Sequence, residues 1–328
     1  MPASTERNMG GPPLTNCKPT AVVAIGGNSL IVDELHQAIP DQYEAAVTTV
    51  KRMVDMMEVG WNIIMTHGSG PQVGYILRRS ELAIDEVAPV PMDYADADIQ
   101  GAVGYMFQRA FHNEFQKRGL NRKAIAIVSQ VLVDINDPAF KNPTKPIGPQ
   151  LDEETAKRRA AQLGWVVKED TGRGWRRVVP SPAPREILEL EQIKFLSDES
   201  FIVIACGGGG IPVVENENNY LVGVEAVIDK DLASGLLANE LAADLFVITT
   251  GVDRVALNFG TPKEIFLDNL GLEHARELYE TDHFDAGSMG PKILAMIEFI
   301  ERGGPAGLIT NTENLAKALA GKAGTRFG

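Results

Sequence analysis

Short apolar runs that halt at a glycine turn recur along this chain, and that grammar confines it to few architectures. Residues 21–25 stop at Gly26-Gly27, residues 61–66 at His67-Gly68-Ser69-Gly70, and residues 201–205 pass through Cys206 into Gly207-Gly208-Gly209-Gly210. A fourth turn, Gly287-Ser288, comes shortly before Lys292. The runs are almost continuously apolar and rich in β-branched residues, as strands are when helices cover both faces of a parallel sheet. Between the first two, Tyr43, Val47, Val50, Met53, Val54 and Met57 recur with a period of about 3.6 residues. A helix over 41–60 follows, and with it a βαβ unit.

The rhythm continues. Helices are expected from Gln72 through Arg78-Arg79 and over 98–118, and a strand over 123–133. After a break come a helix near 185–196, the strand 201–205, a hairpin-like stretch through 216–220, a helix over 231–241 and a strand over 243–249. A helix over 291–301, a strand over 306–309 and a helix over 311–320 complete the series. The break, 134–184, is rich in proline and glycine and its periodic segments are short, as in a loop enlarged into a small lobe. Two α/β halves, 21–133 and 185–328, are expected to share one sheet, with 1–20 as a flexible extension.

Charge narrows the partners. With 44 acidic and 31 basic residues the net charge is −13, which disfavours nucleic acid and anionic membranes. An anionic substrate needs a local cationic site within that negative surround. Two cysteines, Cys17 and Cys206, make neither a disulfide framework nor a metal cluster. No apolar run has the length of a membrane span and no secretory signal is visible, so a cytoplasmic address is expected.

Glycine turns let backbone N–H groups approach a ligand, and two after adjacent strands can grip opposite ends of one phosphate. Gly26, Gly27 and Asn28 form the first candidate turn, and Gly68, Ser69 and Gly70 the second. GxxxxGK[ST] is absent and the first turn lacks G-x-G-x-x-G spacing, which excludes a P-loop and disfavours a dinucleotide site. His67, after a buried strand, reads as structural. Lys230, between Asp229 and Asp231, reads either as a neutralised turn or as a phosphate ligand steadied by Asp231. Lys292 opens a helix, where the dipole disfavours a cation unless an anion binds beside it. Lys141 and Lys145 read as solvated on residue physics alone. Arg173, Arg176 and Arg177 either hold an anion or pair with Glu169 and Asp170.

Taken together, these segments resemble the carbamate kinases of the amino acid kinase superfamily. The matching stretches are Ala24-Ile-Gly-Gly-Asn28, His67-Gly-Ser-Gly-Pro-Gln-Val-Gly74, Lys141-Asn-Pro-Thr-Lys-Pro-Ile-Gly-Pro149 and Glu169-Asp-Thr-Gly-Arg-Gly-Trp-Arg176. They continue through Val179-Pro-Ser-Pro182, Cys206-Gly-Gly-Gly-Gly-Ile-Pro-Val213, Gly223-Val-Glu-Ala-Val-Ile-Asp-Lys-Asp-Leu232 and Gly287-Ser-Met-Gly-Pro-Lys292. The resemblance spans residues 22–320.

It implies a three-layer α/β/α sandwich with a mainly parallel central sheet and a small protruding subdomain, 134–184. It also implies a homodimer that moves a phosphoryl group between ATP and carbamate with Mg²⁺ carried by the nucleotide, toward ATP in arginine fermentation. Lys145, Lys230 and Lys292 would face the moving phosphoryl, with Asp231 holding lysines in place. Gly26, Gly27, Asn28, Gly68, Ser69 and Gly70 would bind the acceptor and phosphoryl. The C-terminal half would take ADP or ATP, with Gly207, Gly208, Thr250, Gly251, Asp253 and Met289 on the nucleotide side. Family members commonly carry Asn where this chain has Ser69. A weaker contact, altered acceptor choice or a bridging water are the alternatives that difference leaves. A related kinase with another small acceptor, or a silent ligand sensor, are the competing readings.

Overall fold

The computed structural model describes residues 18–26, 30–31, 33, 35–170, 174–285 and 287–328. Gly27 and Asn28 of the first glycine turn, residues 1–17 and Arg173 lie outside them.

Eight strands form the central sheet, in the spatial order Asn269–Leu270, Thr325–Phe327, Gly307–Thr310, Leu245–Thr249, Thr20–Ile25, Asn62–His67, Ile202–Ile204 and Ala124–Ala126. All neighbouring pairs are parallel except Gly307–Thr310 with Thr325–Phe327. The described helices are α1 (Ile39–Glu58), α2 (Gly70–Leu82), α3 (Met92–Arg118), α4 (Glu153–Leu163), α5 (Leu190–Asp198), α6 (Lys230–Glu240), α7 (Leu272–Glu280), α8 (Met289–Glu301) and α9 (Leu315–Leu319).

Alternation along each strand builds the layers, because successive side chains leave a strand on opposite faces. Ala21, Val23 and Ile25 join the core beneath α1 and α3, with Met53, Ile99 and Phe107. Val22 and Ala24 join the opposite core beneath α6 and α8, with Leu237, Ile293 and Met296. Leu245 and Val247 against Phe246 and Ile248 divide in the same way. Phe246 meets Phe299 of α8 edge-on, ring centroids 5.4 Å apart. This is the three-layer α/β/α arrangement.

Three smaller sheets accompany it among the described residues, one of them the antiparallel pair Val255–Leu257 and Ile265–Leu267. Leu221–Gly223, Ile211–Glu215, Gln130–Leu132 and Glu186–Ile187 make a four-stranded sheet. Lys145–Leu151, Gly174–Val179 and Val166–Asp170 make an antiparallel three-stranded sheet accompanied by α4. The latter seats against α2 through backbone. A Cβ on Gly74 would lie 2.5 Å from the Gly148 Cα, so only glycine permits that approach.

Four expectations need correction. The strand expected over 123–133 is two strands in two sheets, because Gln100 of α3 captures the backbone between them. Its Oε1 accepts from Ser129 N at 2.7 Å while its Nε2 donates to Ser129 O at 3.1 Å and Gly207 O at 3.0 Å. The helix near 185–196 begins only at Leu190, since Ile187 pairs with Val131 as a strand and Glu189 binds Gln130 N at 2.7 Å. α3 starts at Met92, earlier than residue 98; its first turn carries Asp93, which an apolar period does not reveal. The last helix starts at Leu315 rather than 311, because Asn311 Oδ1 accepts from Asn314 N at 2.8 Å and holds the segment as a turn.

Candidate active site

Four parallel strands end side by side, and each continues into the wall of one cleft of about 540 Å³. Thr20–Ile25 delivers Gly26, Asn62–His67 delivers Gly68 and Ser69, Leu245–Thr249 delivers Thr250 and Gly251, and Gly307–Thr310 delivers Asn311 and Thr312. A crevice at the carboxyl ends of parallel strands is where open α/β sheets bind ligands, and this volume suits a nucleotide-sized molecule.

Three lysines from three distant segments meet there. Lys145 comes from the three-stranded sheet, Lys230 from the first residue of α6 and Lys292 from the first turn of α8. Lys145 Nζ pairs with Asp229 Oδ2. Lys230 Nζ pairs with Asp231 Oδ1, and Lys292 Nζ lies 3.0 Å from Asp231 Oδ2. Asp231 therefore holds one ammonium on each oxygen while only 3% exposed. Burial alone would raise its pKa, but the Lys230 and Lys292 charges outweigh burial and hold the carboxylate well below its usual range. Burial lowers the Lys230 pKa, with Asp231 opposing that shift. Asp229 caps α6, its Oδ1 accepting from Asp231 N at 2.9 Å, so one local turn positions both acids.

Helix ends add to the positive field. α2 and α8 begin at Ser69 and Ser288, and neither serine side chain caps its helix. Both serines line the cleft together with the start of α6. The first turns of α2 and α8 beside three ammonium groups make a positive anion site, although Pro71 and Pro291 carry no N–H and Gly290 N already donates to Asp285 O at 2.8 Å.

His67 is placed as the sequence suggests. It is buried, and burial first, then the nearby Lys230, lowers its pKa to about 4 although the Gly68 carbonyl opposes the shift. The neutral ring donates from Nδ1 to Gly68 O at 3.1 Å. Between pH 6.5 and about 4 the unfolded chain takes up a proton that the folded chain refuses, so this stabilisation is lost as pH falls. Going from pH 7 to pH 5, the wild type is expected to lose about 2 kcal/mol more than His67→Gln in chemical unfolding. Equal losses in the two proteins would contradict this. The Cys206 thiol, buried and pushed up to about 12, is inert.

Of the anticipated site residues, Gly26, Gly68, Ser69, Gly70, Lys145, Gly208, Lys230, Asp231, Thr250, Gly251 and Lys292 line the cleft. Gly207 instead packs against His67 and Gln100, where a Cβ would stand 2.4 Å from His67 Nε2. Asp253 turns to Asn314, accepting from its Nδ2 at 2.8 Å, and Met289 packs against the α6–α8 core. Sequence reading missed Asp229 as the Lys145 partner, the α1 residues Thr48 and Thr49, and Asn311 to Glu313 on the wall. The Asp229-Lys230-Asp231 cap signature held a clue to the first; the others had no local signal.

The model of the amino acid kinase family matches residues 19–311. The carbamate kinase of Pyrococcus furiosus is 49% identical over 307 residues, covering 93% of this chain and 98% of its own length. The carbamate kinase-like protein YahI of Escherichia coli is 45% identical over 313 residues, covering 94% and 99%. Among solved structures, carbamate kinase from Giardia lamblia bound to AMP-PNP superposes with a TM-score of 0.87 at 40% identity, covering 94% of this chain and 98% of that one.

Proposed function

Since this chain belongs to the amino acid kinase family, in its carbamate kinase branch, we propose that the lysine-lined cleft moves a phosphoryl group directly between carbamoyl phosphate and ADP. The observation that carries this is the meeting of Lys145, Lys230 and Lys292 on two buried acids at the uncapped helix starts.

Phosphoryl transfer asks mainly for alignment and for charge around the equatorial oxygens. Carbamate oxygen is already nucleophilic, so no serine, cysteine or histidine needs activation. In the synthetic direction ADP β-phosphate oxygen bonds to phosphorus as the bond to the carbamate oxygen breaks, and carbamate leaves. Gly26, Gly68, Ser69 and Gly70 form the acceptor end, with Gly27 and Asn28 assigned there by resemblance alone. Lys145, Lys230 and Lys292 stabilise the oxygens of the moving group. Thr250 and Gly251 lie on the nucleotide side, with Gly208 on the floor and Gly207, Asp253 and Met289 supporting it from behind.

Among the described residues no three His, Cys, Asp or Glu side chains gather to hold a cation, and Asp229 and Asp231 are engaged by lysines. That donor set fits a Mg²⁺ that arrives on the nucleotide phosphates. When bound, it would neutralise phosphate oxygens and hold the nucleotide in line.

Flux toward ATP follows from chemistry, because carbamate decomposes in water while its mixed anhydride with phosphate is a strong donor. Arginine fermentation in the cytoplasm is the setting the resemblance implies. No described helix is long and apolar enough to cross a membrane. Exposed Tyr94, Tyr105, Val128, Leu221 and Val222 offer apolar surface for a homodimer. The test is the purified chain with ADP, Mg²⁺ and carbamoyl phosphate, followed by ATP formation. ATP at a steady catalytic rate is expected; ADP binding without transfer would instead identify a ligand sensor.

A further inference from the structure

Beneath Lys230, two hydroxyl groups are sealed into an apolar layer where packing alone does not call for them. Thr66, near the end of the strand Asn62–His67, and Ser234, one turn into α6, are both 0% exposed. Thr66 pairs in register with Ala24 and shares a sheet face with Ile64, in the layer that Leu237 and Phe246 also fill. A hydroxyl taken from water into such a layer costs free energy unless it is hydrogen-bonded. Valine and alanine would fill the same two places without that cost.

The two hydroxyls form a directed chain. Thr66 Oγ1 lies 2.6 Å from Ser234 Oγ, and Ser234 Oγ donates to the Lys230 backbone carbonyl at 2.5 Å. Each hydroxyl has one proton; Ser234 gives its own to Lys230 O, so Thr66 is the donor within the pair. A serine bonded to the carbonyl four residues back often bends a helix, so this bond bears on the direction in which α6 begins. Gly235, next to Ser234, meets α8, where a Cβ would stand 3.3 Å from Ala295 O, and α6 is thereby seated between the sheet and the helix carrying Lys292. Both ends of the chain lead into the cleft. The strand of Thr66 runs on into Gly68 and Ser69 on one wall, and the first turn of α6 supplies Lys230 and Asp231 on another.

We propose, resting on the phosphotransfer reading, that Thr66 and Ser234 are positioning residues that fix Lys230 at its separation from the Gly68-Ser69-Gly70 turn. Neither lines the cleft, and both act through the α6 backbone. A phosphoryl group passing between the turn and the lysine needs the two at a set distance, because a misplacement of about 1 Å at a reacting centre can cost about 100-fold. Without the hydroxyls α6 keeps its apolar seat through Leu237 and loses this directional tie to the strand. ADP binding draws on Thr250 and Gly251 at the end of a different strand, Leu245–Thr249, and stays nearly as it is.

The test measures kcat and the KM for ADP, with carbamoyl phosphate and Mg²⁺, in the wild type, Thr66→Val, Ser234→Ala and the double variant. Valine and alanine keep the packing and remove the hydroxyls. Each single change should lower kcat about tenfold while the KM for ADP stays within about threefold of wild type. The double variant should fall no more than about threefold below the slower single variant, since the two hydroxyls act as one chain. Thr66→Ser keeps the donor and should stay within about threefold of wild type. A double loss equal to the product of the single losses would overturn the inference, and so would Thr66→Ser as slow as Thr66→Val. A pair that serves stability alone would lower the melting temperature and leave kcat per folded molecule unchanged, which would also overturn it. Should the apolar variants not fold, Ser234→Cys, which fills the same space with a far weaker hydrogen-bonding group, carries the same expected loss. A wild type that forms no ATP would sink the phosphotransfer reading and this inference with it; every other outcome leaves that reading intact.

Discussion

Replacing Asp231 with alanine is expected to lower kcat for ATP formation by roughly 1,000-fold, the largest effect of any single change in the cleft. Each of its oxygens holds a lysine, and both lysines line the cleft where the proposed transfer takes place. Without the acid, two largely buried ammonium groups face each other with Asp229 left as the nearby opposing charge on Lys230. Lys230, whose pKa burial already lowers, then loses the main charge that opposes burial and gives up its proton at lower pH. The residual activity should therefore have its optimum at lower pH than the wild type, since only the protonated lysine stabilises the transferring oxygens. Steady-state rates across pH decide this; a variant within tenfold of wild type would show that Asp231 does not organise the lysines.

Removing Lys292 should be nearly as severe and differently distributed. Lys292→Ala deletes a cation at the start of α8 while leaving the Asp231–Lys230 pair in place. A lost preorganised charge at the transition state costs about 3 kcal/mol, or roughly 100-fold in kcat. ADP affinity, set by contacts along the whole nucleotide, should change far less. Calorimetric ADP binding beside ATP-formation kinetics separates the two, and an unchanged kcat would remove Lys292 from the proposed machinery.

Much of the frame was legible because it rests on local pattern. The apolar runs at 21–25, 61–66, 201–205 and 243–249 fall on central strands, and the period through Tyr43 to Met57 falls on α1. Glycine at strand ends and lysine beside it marked Gly68, Gly70, Lys230 and Lys292 as cleft residues. The resemblance, rather than residue physics, singled out Lys145, which by itself looked like a solvated loop lysine. Legibility stopped where a distant side chain replaced a local partner. Gln100 breaks the stretch 123–133 by binding Ser129, 29 residues away, and Glu189 shortens α5 by binding Gln130, 59 residues away.

The order of strands and helices, the need for a covered parallel sheet and the presence of cations at glycine turns were written in the chain, because hydrophobic period and backbone freedom act within a few residues. Tertiary structure alone decided which charges meet. Lys145 finds Asp229 across 84 positions and Lys292 finds Asp231 across 61, and nothing local encodes either pairing. It also decided that Thr66 meets Ser234, 168 positions away, beneath Lys230. Burial and pairing depend on which segments the fold stacks together, and they determine whether a charge remains solvated or becomes part of a site.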